Sequence, residues 1–186
     1  KTVKNVFNRK INIMLAIQNW LLQNDFNYSL LEEELAIKAN FHPTDERVIL
    51  NYCQIESPKY NEIVRSSRGI ILNKTNASLI GRSFFRFFNW GEDLPSMKNF
   101  AWDNCYINSK EDGSLITIYY YDGKWRLNTR NSYGDGIVND SGFTWLDIFN
   151  QALLPNGFTL DDFDQVADKE ISLVFELCSP YNQIVR

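Results

Sequence analysis

Apolar residues form two kinds of pattern along this chain. In residues 11–23 they recur every three or four positions, which predicts an amphipathic helix, and residues 30–39 are expected to form a second, shorter helix. From residue 46 onward, short β-branched and aromatic runs bounded by turn residues predict strands. The predicted strands are residues 48–55, 68–73, 78–85, 104–109, 114–121, 124–129 and 171–177, with a further strand expected from residue 183.

Turn signals indicate how these elements are connected. Asp122-Gly123 separates two of the apolar runs, and this dipeptide is a strong signal for a two-residue hairpin. Residues 144–154 have the pattern of a helix that ends at Pro155-Asn-Gly. Because strands outnumber helices and several are joined by short turns, the sequence predicts an α+β fold built on antiparallel sheets. We expect a helical N-terminal segment in residues 1–45, followed by a sheet domain in residues 46–186.

Composition narrows the class of protein. The 186 residues are 44% hydrophobic and 23% charged, which is enough for one domain with a real core. A net charge of −4 means that any surface for a nucleic acid must be local. Three widely spaced cysteines without a Cys-x-x-Cys pair argue against a zinc knuckle or a disulfide framework. With no long apolar run and no signal-peptide pattern, we expect no membrane association and a cytoplasmic location, in the host cytoplasm for a viral protein. Composition leaves the oligomeric state open.

The stretch Lys110-Glu111-Asp112-Gly113-Ser114 leads into a predicted strand. A lysine beside a glycine at a strand edge can act as a nucleophile, because glycine lets backbone approach a ligand where a Cβ would obstruct it. An Asp-Gly pair is also an ordinary turn. These residues alone leave both interpretations open.

Three further stretches stand in order with this one: Arg68-Gly-Ile-Ile, Arg86-Phe-Phe-Asn and Phe175-Glu176-Leu-Cys-Ser-Pro-Tyr-Asn-Gln-Ile-Val. Together they resemble the phage-type RNA ligase family, which belongs with DNA ligases and mRNA capping enzymes to the covalent nucleotidyltransferases. The lysine box is similar to the family's nucleotidyl-lysine motif, and the box around Glu176 is similar to its more specific third motif. The resemblance covers residues 48–186 and implies a nucleotidyltransferase, or ligase adenylation, fold.

The resemblance implies a three-step reaction. A lysine attacks the α-phosphorus of ATP, AMP then passes to the 5′-phosphate of an RNA, and a 3′-hydroxyl finally displaces it. A lysine amine is a nucleophile only when neutral, and its ordinary pKa is about 10.4. Nearby cations and partial burial must therefore favour the neutral form. The implied cofactors are ATP with Mg²⁺ or Mn²⁺, and the implied partner is RNA with 5′-phosphate and 3′-hydroxyl ends.

By the same resemblance, Lys110 is the adenylylated residue, and Asp112 and Glu176 act on the metal, chiefly through water. The implied nucleotide-binding residues are Tyr52, Arg68, Arg86, Phe88, Glu111, Gly113, Arg130 and Glu176. Arg86 stands where the family commonly has lysine, and its rigid fork differs from an ammonium. Without the resemblance, Tyr52 and Phe88 are typical of core residues and Arg130 of a solvated strand end.

The family also has two downstream motifs, an acidic one and a Lys-x-Lys pair, that do not appear before Arg186. We therefore expect the adenylation domain to be incomplete at its C-terminal end. A related tRNA-splicing or DNA ligase and a catalytically inactive nucleotide- or RNA-binding fragment remain as alternatives.

Overall fold

A computed structural model describes residues 5–8, 14–92, 97–98 and 100–183, with only the backbone described at 5–8. In this part of the chain the strands form two antiparallel sheets of four strands each. The strands are β1 Asn5–Asn8, β2 Ile37–Phe41, β3 Arg47–Tyr52, β4 Arg68–Asn73, β5 Leu79–Gly81, β6 Ser114–Tyr121, β7 Lys124–Asn128 and β8 Ile171–Leu177. The helices are α1 Ala16–Gln23, α2 Tyr28–Leu35, α3 Glu62–Ser66, α4 Trp145–Leu153 and α5 Phe163–Val166, with 3₁₀ turns at Trp102–Asn104 and Leu154–Asn156.

The first sheet has the strand order β2-β3-β4-β5 and the second the order β1-β8-β6-β7. Because successive side chains of a strand point to opposite faces, each sheet contributes to two apolar clusters. The outer face of the first sheet packs against α1, α2 and α3, and the outer face of the second packs against α4 and α5. A further cluster lies between the two sheets. It consists of Ile49, Ile71 and Ile80 from the first sheet, Tyr119 of β6, and Tyr133.

A buried arginine ties the two sheets together. Arg47 at the start of β3 is 2% exposed and donates a hydrogen bond of 2.8 Å from Nη1 to the Tyr119 hydroxyl on β6. Its Nη2 also lies 2.7 Å from an Asp45 carboxylate oxygen, so the buried cation has an anionic partner. This link fixes the position of β3 in the first sheet relative to β6 in the second.

Several sequence predictions are confirmed. The fold is α+β with antiparallel sheets, and the predicted hairpin joins β6 to β7 with positive φ at both Asp122 and Gly123. The three cysteines are free. Tyr119, Tyr120 and Tyr121 of the predicted strand 114–121 pack against the apolar clusters of the sheets. As a separate observation that tests none of these predictions, no helix in the described ranges has the length and apolarity that a membrane-spanning helix needs.

Other predictions are wrong or shifted. The predicted helix at 30–39 ends at Leu35, where Ala36 takes a left-handed conformation, and β2 follows and pairs with β3. The predicted strand at 104–109 does not form: Asn104 ends a 3₁₀ turn, and the largely exposed residues after it pair with no strand among the described residues. The predicted strands at 48–55 and 78–85 end early, at Tyr52 and Gly81. Residues 11–13 and most of the strand expected from residue 183 lie outside the described residues.

The N-terminal segment predicted as helical contributes to both sheets. β1 pairs with β8 of the second sheet, and β2 pairs with β3 of the first. Strand pairing therefore extends across the boundary that the sequence suggested at residue 45.

Candidate functional site

Strand ends bring the four sequence boxes into one region. Tyr52 ends β3, and Arg68 starts the neighbouring β4, with Asn51 and Arg68 in register after an irregularity in the pairing. Glu176 lies near the end of β8, in register with Leu115 of β6, so the lysine box that precedes β6 lies next to it. Electrostatic coupling of Glu176 to both Arg68 and Lys110 links the two sheets at this point.

Two arginines pack against the buried ring of Tyr52. The guanidinium carbons of Arg86 and Arg130 lie 4.3 Å and 4.4 Å from the ring centroid. Arg130 is further held by hydrogen bonds from Nε to Asn51 Oδ1 at 2.7 Å and from Nη2 to the Tyr52 carbonyl at 3.1 Å. Tyr52 is thus the centre of a fixed cationic cluster rather than a strand residue that only fills the core.

Two guanidinium nitrogens of this region are buried without a hydrogen-bond partner among the described residues. They are Nη1 of Arg68 and Nη1 of Arg86, and Arg86 is only 5% exposed. Burial lowers the pKa of Arg68, with the charge of Arg130 acting in the same direction, although Tyr52 and Glu176 oppose it. Buried donors without partners are costly, so an anion that accepts from them would be bound strongly.

Lys110 and Glu176 lie on neighbouring segments and are both exposed residues. Lys110 stands just before β6, and Glu176 lies near the end of β8, where part of the space around its carboxyl is filled by protein. Burial raises the pKa of Glu176, and Asp112 adds to this, while Lys110, Arg68 and the backbone N–H of Gly113 favour its ionised form. The charges of Lys110, Arg68 and Asp112 therefore all act on the Glu176 carboxyl.

Gly113 explains how the lysine box can lie so close to β8. A Cβ built on it would lie 2.5 Å from the Leu177 carbonyl oxygen and 2.9 Å from the Leu177 carbonyl carbon. Real Cβ atoms do not approach backbone so closely, and backbone cannot move aside as a flexible side chain can. The glycine therefore sets the distance between the Lys110 segment and the strand that carries Glu176.

A cleft of about 550 Å³ opens beside Tyr52 and Arg130. Carboxamides dominate its polar lining, from Asn40, Asn51, Gln54 and Asn131, and Lys38 adds a second cation. Asn51 and Asn131 are hydrogen-bonded to each other, and Asn40 donates to the Asn131 carbonyl at 2.8 Å. Carboxamides next to cations suit a ligand with both a heterocyclic base and phosphates.

Two of the predicted residues lie towards the margin of this arrangement. Phe88 packs with Tyr60 at 5.7 Å and lies 5.6 Å from Arg86, so it reaches the cationic cluster only through that arginine. The exposed Glu111 accepts a hydrogen bond of 3.0 Å from the Ser109 hydroxyl.

Sequence reasoning missed two residues that contact the site. The ring of Phe87 lies 4.6 Å from the Arg68 guanidinium carbon, and Asn51 holds Arg130. Phe87 stands next to Phe88 in the Arg86 box, so the sequence of that box could have identified it. Nothing in the sequence singled out Asn51.

The raised pKa of Glu176 predicts a pH-dependent difference in stability. A carboxyl whose pKa is higher in the folded than in the unfolded state stabilises the fold at low pH and loses that contribution as the pH rises through the folded pKa. Glu176→Gln should therefore be more stable than the wild type at pH 7, by less than about 1 kcal/mol because water screens the side chain. The gain should shrink as the pH falls towards 4.5, the ordinary pKa of this group.

Urea unfolding midpoints across this pH range measure the effect, with Glu111→Gln as the matched control at an exposed carboxylate. A difference between Glu176→Gln and the wild type that is constant with pH would contradict the expected coupling.

Comparison with known proteins shows which family of sequences this chain matches. The sequence model of the RNA ligase family matches residues 66–186. The chain is 30% identical, over 82% of its length, to a protein of Autographa californica nuclear polyhedrosis virus named as a bifunctional polynucleotide kinase/RNA ligase. It is 25% identical, over 65% of its length, to a protein of Thermovibrio ammonificans named as an RNA ligase. The chain spans 24% of the viral protein and 30% of the bacterial one.

Proposed function

Because the chain belongs to the RNA ligase family, we propose that it carries the nucleotide-binding and nucleophilic part of an ATP-dependent RNA ligase. Its substrates are ATP and RNA with 5′-phosphate and 3′-hydroxyl ends. The observation that carries the proposal is that Glu176 lies within electrostatic range of both Lys110 and Arg68, and that Arg68 and Arg86 each have a buried guanidinium nitrogen without a partner among the described residues. We assign an adenylation fold, partial at its C-terminal end, to residues 46–186, to whose sheets β1 and β2 add one strand each.

The first step of the proposed reaction occurs at the Lys110 amine. Its neutral Nζ attacks the α-phosphorus of ATP, a phosphorus–nitrogen bond forms, the bond to pyrophosphate breaks, and the amine gives up a proton. Phosphoryl transfer of this kind depends on positioning and on cations that face the developing charge. Arg68 and Arg86 are suited to this task because their unpartnered donors are already desolvated, so less solvent must reorganise during the reaction.

We propose that the nucleotide lies between the arginines near Tyr52 and the cleft lined by carboxamides. Its phosphates would face Arg68, Arg86 and Arg130, and its ribose and base would extend into the cleft lined by carboxamides. The Tyr52 ring orients Arg86 and Arg130, because both guanidinium groups pack against it. Phe88 packs near Arg86 and so acts on the nucleotide indirectly, by helping to hold that arginine in place.

Asp112 and Glu176 fit a divalent metal ion, Mg²⁺ or Mn²⁺. The charge of Asp112 raises the pKa of Glu176, so the two carboxylates are close enough to repel each other, and a cation would relieve that repulsion. No cluster of three or more metal-ligating side chains occurs in the described ranges. Magnesium commonly uses one or two carboxylates together with substrate phosphates, so two carboxylates are sufficient for the site proposed. When bound, the metal would neutralise charge on the phosphates.

The later steps use the same lysine as donor. AMP passes from Lys110 to the RNA 5′-phosphate, and the 3′-hydroxyl of the second RNA end then forms the phosphodiester bond and releases AMP. Both steps place an RNA phosphate where the ATP phosphates were, so the arginines serve each step in turn. The RNA must therefore approach from the open side of Lys110, whose side chain is exposed.

Intact mass after incubation with ATP and Mg²⁺ tests the proposal. A ligase should gain the mass of one AMP, whereas a catalytically inactive nucleotide- or RNA-binding domain should gain none. The yield of AMP adduct from ATP should exceed the yield of GMP adduct from GTP, because GTP is the substrate of capping enzymes rather than of ligases. The adduct should pass to a 5′-phosphorylated RNA in preference to a DNA strand of the same sequence, and equal transfer to both would favour the DNA ligase alternative.

A further inference from the structure

Three aromatic rings form an exposed cluster on the segment that joins the Arg86 box to the Lys110 box. Trp90 lies 5.4 Å from Phe100 and 5.2 Å from Trp102, and Phe100 lies 4.8 Å from Trp102, measured between ring centroids. Despite these contacts, Trp90 and Trp102 are each 62% exposed and Phe100 is 42% exposed. We refer to these three residues as the three-ring cluster.

Exposure on this scale is costly for side chains of this type. Aromatic residues bury 150–250 Å² each when packed in a core, and contiguous apolar surface of this kind typically marks a binding site. The rings pack on each other, so the cluster is already ordered before any partner arrives. A preformed site loses less conformational entropy on binding than single exposed side chains would.

The cluster lies on the segment of the chain that joins two parts of the candidate site. Trp90 follows Phe87, which is 64% exposed and lies 4.6 Å from the Arg68 guanidinium carbon. Trp102 precedes Lys110 by eight positions, and the residues between them are largely exposed. The segment that carries the three-ring cluster thus connects the Arg86 box to the Lys110 box, where AMP transfer is proposed.

We propose that the three-ring cluster binds unpaired bases of the RNA whose end is being joined. This inference rests on the proposed function, which makes RNA the substrate. The net charge of −4 gives no general attraction for an RNA backbone, so part of the affinity must come from contacts that do not depend on charge. Base stacking on tryptophan and phenylalanine is such a contact, and it tolerates any sequence because every base has an aromatic face.

The cluster is suited to single-stranded RNA rather than to a duplex. Bases inside a duplex are already stacked on their neighbours, and only unpaired bases can present a free face to a protein ring. Tyr119, Tyr120 and Tyr121 cannot take this role, because they pack against the sheets. The three-ring cluster would thus hold the unpaired end of the substrate while its 5′-phosphate lies near Lys110.

Anisotropy of a labelled, 5′-phosphorylated RNA of about eight nucleotides, within the usual site size of such surfaces, measures the binding. The double variant Trp90→Leu, Trp102→Leu keeps apolar volume but removes the stacking faces. It should bind this RNA roughly 5- to 150-fold more weakly, the range expected for losing one base stack. ATP affinity and the rate of AMP attachment should stay within about twofold of the wild type, because among the described residues the substituted rings pack on each other and on Phe100 rather than on Tyr52, Arg86 or Arg130.

Two controls separate stacking from other effects. Leu154→Ala removes an apolar side chain of the same 62% exposure far along the chain, and should leave RNA binding unchanged. An abasic strand with the same phosphates should bind the wild type and the double leucine variant equally. The variant Trp90→Phe, Trp102→Phe restores aromatic faces and should recover most of the lost affinity.

The proposal is overturned if the leucine variant binds single-stranded RNA as tightly as the wild type, or if a duplex competes as well as a single strand. It is equally overturned if the phenylalanine variant fails to recover affinity although circular dichroism shows it folded, which would favour a docking surface for another protein. Absence of the AMP adduct in the mass experiment would sink the proposed ligase chemistry without changing these binding measurements, so the two failures are distinguishable.

Discussion

Lys110→Ala is expected to abolish covalent labelling by ATP carrying a label on its α-phosphate. The alanine has no amine to form the phosphorus–nitrogen bond, so adduct formation should fall to background rather than to a reduced rate. ATP binding should persist within a fewfold, because Arg68, Arg86 and Arg130 remain. Gel detection of the adduct and equilibrium binding of ATP measure the two quantities separately.

The matched control is Lys124→Ala, which removes an equally exposed lysine from the β6–β7 hairpin and should label normally. Lys110→Arg keeps the charge but replaces the amine by a guanidinium that stays protonated, so it should also fail to label. Residual labelling of Lys110→Ala, or an adduct mapped by peptide sequencing to another residue, would remove Lys110 from its proposed role.

Gly113→Ala is expected to lower both the stability and the rate of adenylylation. The new Cβ would meet the Leu177 carbonyl at 2.5 Å, so the end of β8 and the lysine box must move apart. Overpacking against backbone typically costs about 1–3 kcal/mol in the free energy of unfolding. A displacement of about 1 Å between reacting groups can cost roughly 100-fold in rate, and we expect a loss of that order in single-turnover AMP attachment.

Gly136→Ala provides the comparison, since its Cβ would meet nothing closer than 3.4 Å and its φ is not in the left-handed region. It should change the free energy of unfolding by less than about 1 kcal/mol and leave the adenylylation rate unchanged. If Gly113→Ala labels as fast as Gly136→Ala, close contact between the lysine box and β8 is not required for the chemistry.

Much of the fold follows from local patterns. The runs that became β3, β4, β6, β7 and β8 are rich in β-branched and aromatic residues, and the Asp122-Gly123 turn could only join its neighbours as a hairpin. Such features depend on steric preferences of adjacent residues, which are present in the sequence itself. The order of the four boxes likewise identified Lys110, Arg68 and Glu176 as candidates before any fold was known.

Local patterns failed where the partner strand decided the outcome. Residues 37–41 follow a helical stretch and have helix-compatible side chains, yet they form β2 because β3 offers an edge to pair with. Residues 104–109 have strand-like composition but have no such edge, so they stay irregular and exposed. Secondary structure at these places depends on distant backbone, and propensity is too weak to override it.

By itself, the sequence determined the antiparallel α+β character and the hairpin, because these depend on residue type and near neighbours, and it proposed Lys110, Arg68 and Glu176 as candidate site residues. Only the tertiary structure decided that Arg86 and Arg130 pack on Tyr52, that Asn51 holds Arg130, and that Gly113 lies against Leu177. The three rings of Trp90, Phe100 and Trp102 are likewise brought together by the path of the chain. Each of these contacts depends on the three-dimensional course of the backbone, which spacing along the sequence does not specify.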